Sequence, residues 1–210
     1  MAETRNFLFD FGNVLIDLDI EGASERIRAL MDPAYQAASV EQAIIRTIEK
    51  FEVGAISTEV FLNAMLKYAR RGVQALDVIS AWNSMLVGIP PYRLSMLRKL
   101  KENHGVYLLS NTNSLHLEWV YRHLERELKV DNFDAGYFDG VFYSHLIGHR
   151  KPDRSCFEYV IRESPITPEK TMFIDDNAGN IAAAEKLGFQ THLIDAGEEV
   201  AEFLKLGGYY

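Results

Sequence analysis

The sequence of 210 residues predicts an α/β fold: a doubly wound parallel sheet with a helical bundle inserted after its first strand. Three observations predict it. Short apolar runs alternate with amphipathic helical patterns. Residues 18–90 carry helical patterns and no convincing strand. Polar residues suited to chemistry stand at the ends of the apolar runs, where open α/β sheets bind their ligands.

The apolar runs are Phe7–Phe11, Val106–Leu109, Met172–Ile174 and Thr191–Ile194, with Gly140–Tyr143 as a weaker fifth. Each is short and ends in polar residues or glycine, as buried strands do. Residues 92–103 repeat Leu94, Leu97 and Leu100 on one helical face and stop at Gly105. Residues 153–163 start at an Asp suited to an N-cap and place Phe157, Val160 and Ile161 on one side. Thr167-Pro168-Glu169 reads as the N-cap and first two positions of a short helix. Residues 177–187 are Ala-rich and end at Gly188. The insert reads as about four helices, roughly 20–31, 34–52, 57–71 and 74–86. Pro33, Val53-Gly54, Ser57 and Gly72 mark their boundaries, and residues 87–91 (VGIPP) read as a hinge. The expected division is a core of residues 1–16 and 92–210 with a cap of residues 17–91. Two roles are open to the cap: a lid over the carboxyl ends of the strands, or a decoration that only adds stability.

Composition narrows the function. An apolar content of 48 % is enough for a real core and excludes disorder as the main state. The single cysteine, Cys156, excludes an intramolecular disulfide and a cysteine-based zinc site. The start lacks a basic segment followed by an apolar one, and no apolar run approaches the roughly 18 residues of a membrane helix. A soluble, cytoplasmic protein without a membrane partner is therefore expected. The net charge of −8 argues against nucleic acid, whose phosphates select clustered Lys and Arg. Monomer and homodimer are both open.

Four signals carry chemistry: Asp10 in FLFDFGNVL, Ser110-Asn111 in YLLSNTN, Lys151 in GHRKPD and Asp175-Asp176 in MFIDDNAGN. Each alone is weak, since an acid after an apolar strand is commonly a cap or turn residue. Together, in this order, they describe one crevice. Carboxylates gathered there repel one another unless a cation sits among them. Hard oxygen ligands select Mg²⁺. A carboxylate can also attack phosphorus as a nucleophile. Ser110, Asn111 and Lys151, with Gly12 and Asn13 of the first loop, are the expected phosphate-binding positions.

FDFGNVLID, LSNTNSLH, RKPD and FIDDNAGNIAAAEKLG together resemble the haloacid dehalogenase superfamily along the whole chain. The similarity is to its members with a helical cap after the first motif, and especially to bacterial α-D-glucose-1-phosphate phosphatases. The resemblance implies a Rossmann-like core and a Mg²⁺-dependent phosphatase working through an aspartyl-phosphate. It implies Asp10 as nucleophile and Ser110 and Lys151 as phosphoryl ligands. Asp10, the Gly12 carbonyl and Asp176 would hold the metal, Asp175 would ligate directly or through water, and Asn180 would support them. The implied substrate is a small phosphomonoester, a sugar phosphate such as glucose 1-phosphate.

One departure matters. Most phosphatases of this superfamily carry a second Asp two residues after the nucleophile as general acid, and here that position is Gly12. An anomeric leaving group is acidic enough to need the acid less. His116, His149, His145, Asp17 and Asp19 are the candidate substitutes; the alternatives are a surface or capping role for the histidines and a hinge, metal-network or solvated loop role for the two acids. Arg150 is open between phosphate binding and a surface ion pair. Trp82, Asn83 and Tyr92 are candidate specificity residues near the cap's return, and Cys156 reads as a small core residue. Two rival functions remain: a haloacid dehalogenase, which needs no metal and so no extra carboxylates, and a catalytically weak phosphate-binding or regulatory protein.

Overall fold

Phe7, Leu8 and Phe9 are fully buried, and a strand buried on both faces belongs at the centre of a parallel sheet. The computed structural model describes residues 3–35 and 38–210. It begins with that strand, β1 (Asn6–Phe9), and a short strand β2 (Asp17–Leu18). Helices α1 (Ile20–Leu30), α2 (Ala38–Glu52), α3 (Thr58–Leu66) and α4 (Ala75–Asn83) follow, then strand β3 (Leu86–Gly88). The chain continues with α5 (Pro91–Lys101), β4 (Gly105–Ser110), α6 (Ser114–Leu128), α7 (Phe133–Tyr137), β5 (Gly140–Tyr143) and α8 (Ser144–Ile147). It closes with α9 (Arg154–Glu163), β6 (Thr171–Asp175), α10 (Ala178–Glu185), β7 (Gln190–Leu193) and α11 (Val200–Leu206).

Five strands form one parallel sheet in the order β5-β4-β1-β6-β7. Phe9 lies between Leu108 and Ile174, so β1, β4 and β6 end side by side. Side chains alternate between the faces as a strand requires. Phe7 and Phe9 pack with Leu97 of α5, Val120 of α6 and Leu204 of α11. Leu8 faces the other way, toward Phe157 of α9 and Ala184 of α10. Helices thus cover both faces, the doubly wound arrangement that the alternating pattern predicts.

The insert has its own apolar centre. Phe51 stacks on Phe61 at 4.4 Å, and Met65, Val78 and Trp82 join them with Leu115 of α6. Ser57 caps α3 by accepting from the Val60 N–H. Asp19 caps α1 by accepting from the Gly22 N–H at 2.9 Å and pairs with Arg26. The expected start of the second insert helix near residue 34 differs: Pro33–Tyr35 is a single 3₁₀ turn and α2 begins at Ala38, while residues 36–37 lie outside the described residues.

Two expectations are corrected. Residues 18–90 are not strandless, and residues 87–91 are not a plain hinge. Leu86–Gly88 pairs antiparallel with Asp17–Leu18, so a two-stranded ribbon carries the chain into the insert and back. Strands of two and three residues are too short to show a period of two. Asp153 stands at the N-cap position of α9, but its side chain makes no capping bond.

Arg93 at the start of α5 anchors the ribbon. It donates to Asp17 at 2.7 Å and to both Glu199 oxygens at 3.0 and 2.9 Å. The guanidinium is 8 % exposed, whereas Asp17 is half exposed and Glu199 a quarter, so removing it leaves two partly solvated carboxylates near each other without their cation. Arg93→Met should lower the unfolding free energy by about 1–3 kcal/mol. Urea unfolding measures this, and an unchanged midpoint would show that the two acids are adequately solvated without Arg93.

Candidate active site

The adjacent ends of β1, β4 and β6 build the site. Asp10 follows the last residue of β1, and its N–H donates to Ile174 O at 2.8 Å. The next turn is tight: Leu15 and Ile16 N–H both donate to Phe11 O, and Asn13 adopts a left-handed φ of 54°. That conformation, which Asn tolerates, aims its side-chain amide at Asp176 Oδ2, 2.8 Å away. Asp175 is the last residue of β6 and fully buried, while Asp176 is exposed.

Lys151 holds the centre. It is 1 % exposed, and Nζ donates to Asp10 Oδ1 at 2.6 Å and to Asp175 Oδ2 at 2.7 Å. Burial opposes its charge, but the two carboxylates outweigh burial and hold its pKa above the usual lysine value. Burial also pushes the Asp10 carboxyl up, Lys151 pulls it down and Asp175 pushes it up again, with a net rise. Asp175 is surrounded by donors: Asn177 N–H reaches Oδ1 at 2.8 Å, and the Asn180 amide reaches both oxygens at 3.0 Å. Asn180 therefore holds the Asp175 carboxylate.

Asn111 does something the sequence did not show. Its carbonyl accepts from Lys151 N–H at 2.9 Å and its amide donates to Lys151 O at 2.8 Å. Both ends of the side chain are thus committed to the lysine backbone, which makes Asn111 a positioning residue where a phosphate ligand was expected. Ser110, the last residue of β4, is buried beside it. Gly12 and Ser110 line a chamber of about 90 Å³ that also meets Glu52, Trp82 and His116. A Cβ on Gly12 would stand 2.8 Å from Leu18 Cδ1, so the tip of an apolar side chain lies against the position of the missing acid.

Of the candidate substitutes, His116 is buried and stacked on Trp82 at 5.1 Å. Its Nδ1 faces the Asn113 amide nitrogen at 3.2 Å, and its Nε2 faces Trp82 O at 3.4 Å. The amide only donates and the carbonyl only accepts, so Nδ1 bears no proton and Nε2 donates. Burial lowers its pKa to about 4, and the ring ties α6 to α4 as a neutral group. Asp17 pairs with Arg93 and Asp19 caps α1. His149 packs on Tyr159, and burial lowers the pKa of His145. Arg150 pairs with Glu49 and Glu52 of α2. Cys156 is buried core, its thiol pushed up to about 12. Trp82 lines the chamber, but Tyr92 bonds Glu199 and belongs to the outer face. Glu52, which the sequence did not single out, stands in the chamber wall at the end of α2; its place just before the Val53-Gly54 break was the one available signal.

Asp10, Asp175 and Asp176 each offer one oxygen, all within 4.8 Å of one another. Three carboxylates against one ammonium leave two negative charges in excess. A hard divalent cation matches that excess and that donor set.

A family model for haloacid dehalogenase-like hydrolases matches residues 4–188. The chain belongs to the haloacid dehalogenase-like hydrolases. It is 29 % identical to a D-ribitol-5-phosphate phosphatase of Bacteroides thetaiotaomicron over 190 residues, 89 % of this chain and 90 % of that one. A haloacid dehalogenase family enzyme from the same organism, solved in complex with magnesium and inorganic phosphate, superposes with a TM-score of 0.81 at 32 % identity. That match covers 95 % of this chain and 98 % of the other. A haloacid dehalogenase-like hydrolase from Porphyromonas gingivalis matches with a TM-score of 0.82 at 31 % identity, over 98 % of each chain. No helix among the described residues is long and apolar enough to cross a membrane.

The low pKa of His116 sets a pH dependence for this haloacid dehalogenase-like chain. The unfolded chain binds the imidazole proton near pH 6.5 and the folded one only near pH 4, so the unfolded state holds more protons between them. Stability is therefore full above about pH 6.5 and falls as pH drops toward 4, by up to about 3 kcal/mol. His116→Gln should flatten that part of the profile in denaturant melts across pH. An equal slope in the variant would place the dependence elsewhere.

Proposed function

We propose that this chain is a Mg²⁺-dependent phosphatase that hydrolyses small sugar or polyol phosphate monoesters through an aspartyl-phosphate. The observation that carries the reading is the buried ammonium of Lys151, set 2.6 Å from Asp10 beside a cluster of three carboxylates. The relatives support it: one is a D-ribitol-5-phosphate phosphatase, and another binds magnesium and inorganic phosphate. Residues 1–16 and 92–210 form the catalytic core and residues 17–91 its cap.

Asp10, Asp176, the Gly12 carbonyl and Asp175, directly or through water, would hold the metal. Bound there, Mg²⁺ supplies positive charge to the phosphoryl oxygens and to the carboxylates. The remaining chemistry belongs to the chain. An Asp10 oxygen forms a bond to phosphorus as the ester P–O bond breaks, and the electron pair leaves with the alcohol oxygen. Lys151 keeps Asp10 oriented and offsets charge on the phosphoryl group. Ser110 offers its hydroxyl to the same oxygens from the end of β4. Water then forms a bond to phosphorus, the Asp10–phosphorus bond breaks and inorganic phosphate leaves.

The chamber beside Gly12 and Ser110 takes the alcohol part of the ester. Its volume of about 90 Å³ suits the few atoms of the alcohol nearest the phosphate. Trp82 and Leu18 give it apolar walls, and Glu52 and His116 give it polar groups. A metal-free dehalogenase has no use for Asp176, which Asn13 holds beside Asp10 at the exposed edge. The mixed lining favours small polyols and sugars; glucose 1-phosphate and ribitol 5-phosphate are the first two to compare.

Phosphate release from a sugar- and polyol-phosphate panel tests the reading. Activity should require Mg²⁺ and vanish with a chelator. Asp10→Asn and Lys151→Met should each lower kcat/KM by about 10³-fold or more. Undiminished release with chelator, or from the Asp10 variant, would refute the aspartyl-phosphate route.

A further inference from the structure

We propose that Glu52, carried into the crevice by the cap, is the general acid and base that the first motif lacks. The proposal rests on the phosphatase reading and adds to it the source of the proton.

Four observations place Glu52 there. First, Glu52 lines the chamber that opens beside Gly12 and Ser110, where the proposed reading seats the ester's alcohol, and it is the only acid among the lining residues. Second, its Oε2 is shut off from solvent and accepts no hydrogen bond. Arg150 Nη2 stands 3.1 Å away, yet out of line for one. A buried carboxyl oxygen without a donor is costly, and such exceptions in folded proteins ask for a functional reason. Third, the backbone locks Glu52 in place. Gly54, two residues on, turns with φ 68° and approaches the core so closely that a Cβ would stand 2.2 Å from His145 O. Fourth, the rival donors are spent: His116 is neutral with Nε2–H on Trp82 O, and position 12 is a glycine with no side chain to give a proton.

The surroundings let Glu52 carry a proton. Arg150 faces it from the loop before α9, Glu49 from its own helix, His116 from α6 across the chamber and His145 from α8 behind Gly54. Burial pushes its pKa up, Arg150 pulls it down and Glu49 pushes it up, for a net rise. In the first step Asp10 bonds to phosphorus, the ester P–O bond breaks and Glu52 gives its proton to the leaving oxygen. In the second, water bonds to phosphorus, its proton passes to Glu52 and Asp10 is released as carboxylate. Glu52 returns to its starting form.

The test uses esters without hydroxyl groups, so that binding of a sugar is not at issue. Wild type and Glu52→Gln are compared with Mg²⁺ on ethyl, trifluoroethyl, phenyl and p-nitrophenyl phosphate, reading kcat/KM. A poor leaving group needs the proton and p-nitrophenolate does not. Glu52→Gln should lose about 10²–10⁴-fold on ethyl phosphate and less than about tenfold on p-nitrophenyl phosphate. A loss equal across the series would overturn the proposal and leave Glu52 a packing residue. Should the variant fail to fold, Arg150→Met serves instead. The fall of kcat/KM for ethyl phosphate at high pH should move to higher pH once the cation is gone, and an unmoved fall overturns the proposal. A wild type that releases phosphate from p-nitrophenyl phosphate keeps the phosphatase reading whichever way Glu52 falls, and one that releases none overturns both.

Discussion

A buried ammonium cannot stand alone, and the core is arranged around that constraint. Lys151 Nζ is held by Asp10 and Asp175, which come from neighbouring strands. Leaving either acid out would strand a charge in a medium that solvates it poorly. The pairing therefore demands that β1 and β6 lie side by side in a fixed register, with Phe9 against Ile174. A slip of one residue would turn the side chains of β1 to the opposite face and break the ion triad. Asn111, just past β4, then clamps the Lys151 backbone from the other side of β1. Three strand ends are thus committed to one lysine.

The residue before the lysine ties that centre to the helical insert. Arg150 turns outward to Glu49 and Glu52 of α2, while Lys151 turns inward. Thr58 and Ser114 share a hydrogen bond of 2.9 Å, and Trp82 packs on His116 across the same boundary. Any displacement of the insert must break these contacts, but it need not touch the buried triad. The two residues divide the labour: Arg150 pairs with the insert and Lys151 holds Asp10 and Asp175. A chamber walled by both parts has its full shape only while the insert is seated.

Much of this was legible in the sequence because strong local patterns and strong chemistry coincide. The runs at Phe7 and Val106 are short and largely apolar, and the polar residues at their ends, Asp10 and Ser110, are among those the fold brings to one edge of the sheet. Elements that depend on long-range pairing were not legible. The ribbon of Asp17–Leu18 and Leu86–Gly88 joins residues about seventy apart in sequence, and two-residue strands show no periodicity. Residue types were read more easily than their employment. Asn111 was expected at the phosphate, and only the fold shows both ends of its amide on the Lys151 backbone. His116 was open between a proton donor and a capping or surface group; only the carbonyl of Trp82 and the amide of Asn113 reveal a buried, neutral clamp. Glu52 lies in an ordinary amphipathic helix, where one acid among several has no local signature.

The Gly12 departure bears on the same electrostatics. A carboxyl at position 12 would add a fourth negative group beside Asp10, Asp175 and Asp176, whose mutual repulsion one ammonium already fails to balance. A carboxyl on the insert escapes that repulsion: its nearest charges are Arg150 and Glu49, and burial governs its proton. The apolar contact of Leu18 at the vacated position then serves the alcohol half of an ester, which packs where a charged group would have stood. Placing the proton on the insert also makes protonation of the leaving group conditional on closure. With the insert displaced, the ion triad of Lys151, Asp10 and Asp175 would persist but the proposed acid would be absent, so the alcohol of a bound ester would depart unprotonated and slowly. Selection by the alcohol and chemistry on the phosphate are then one event, because the residue that closes over the first supplies the proton for the second.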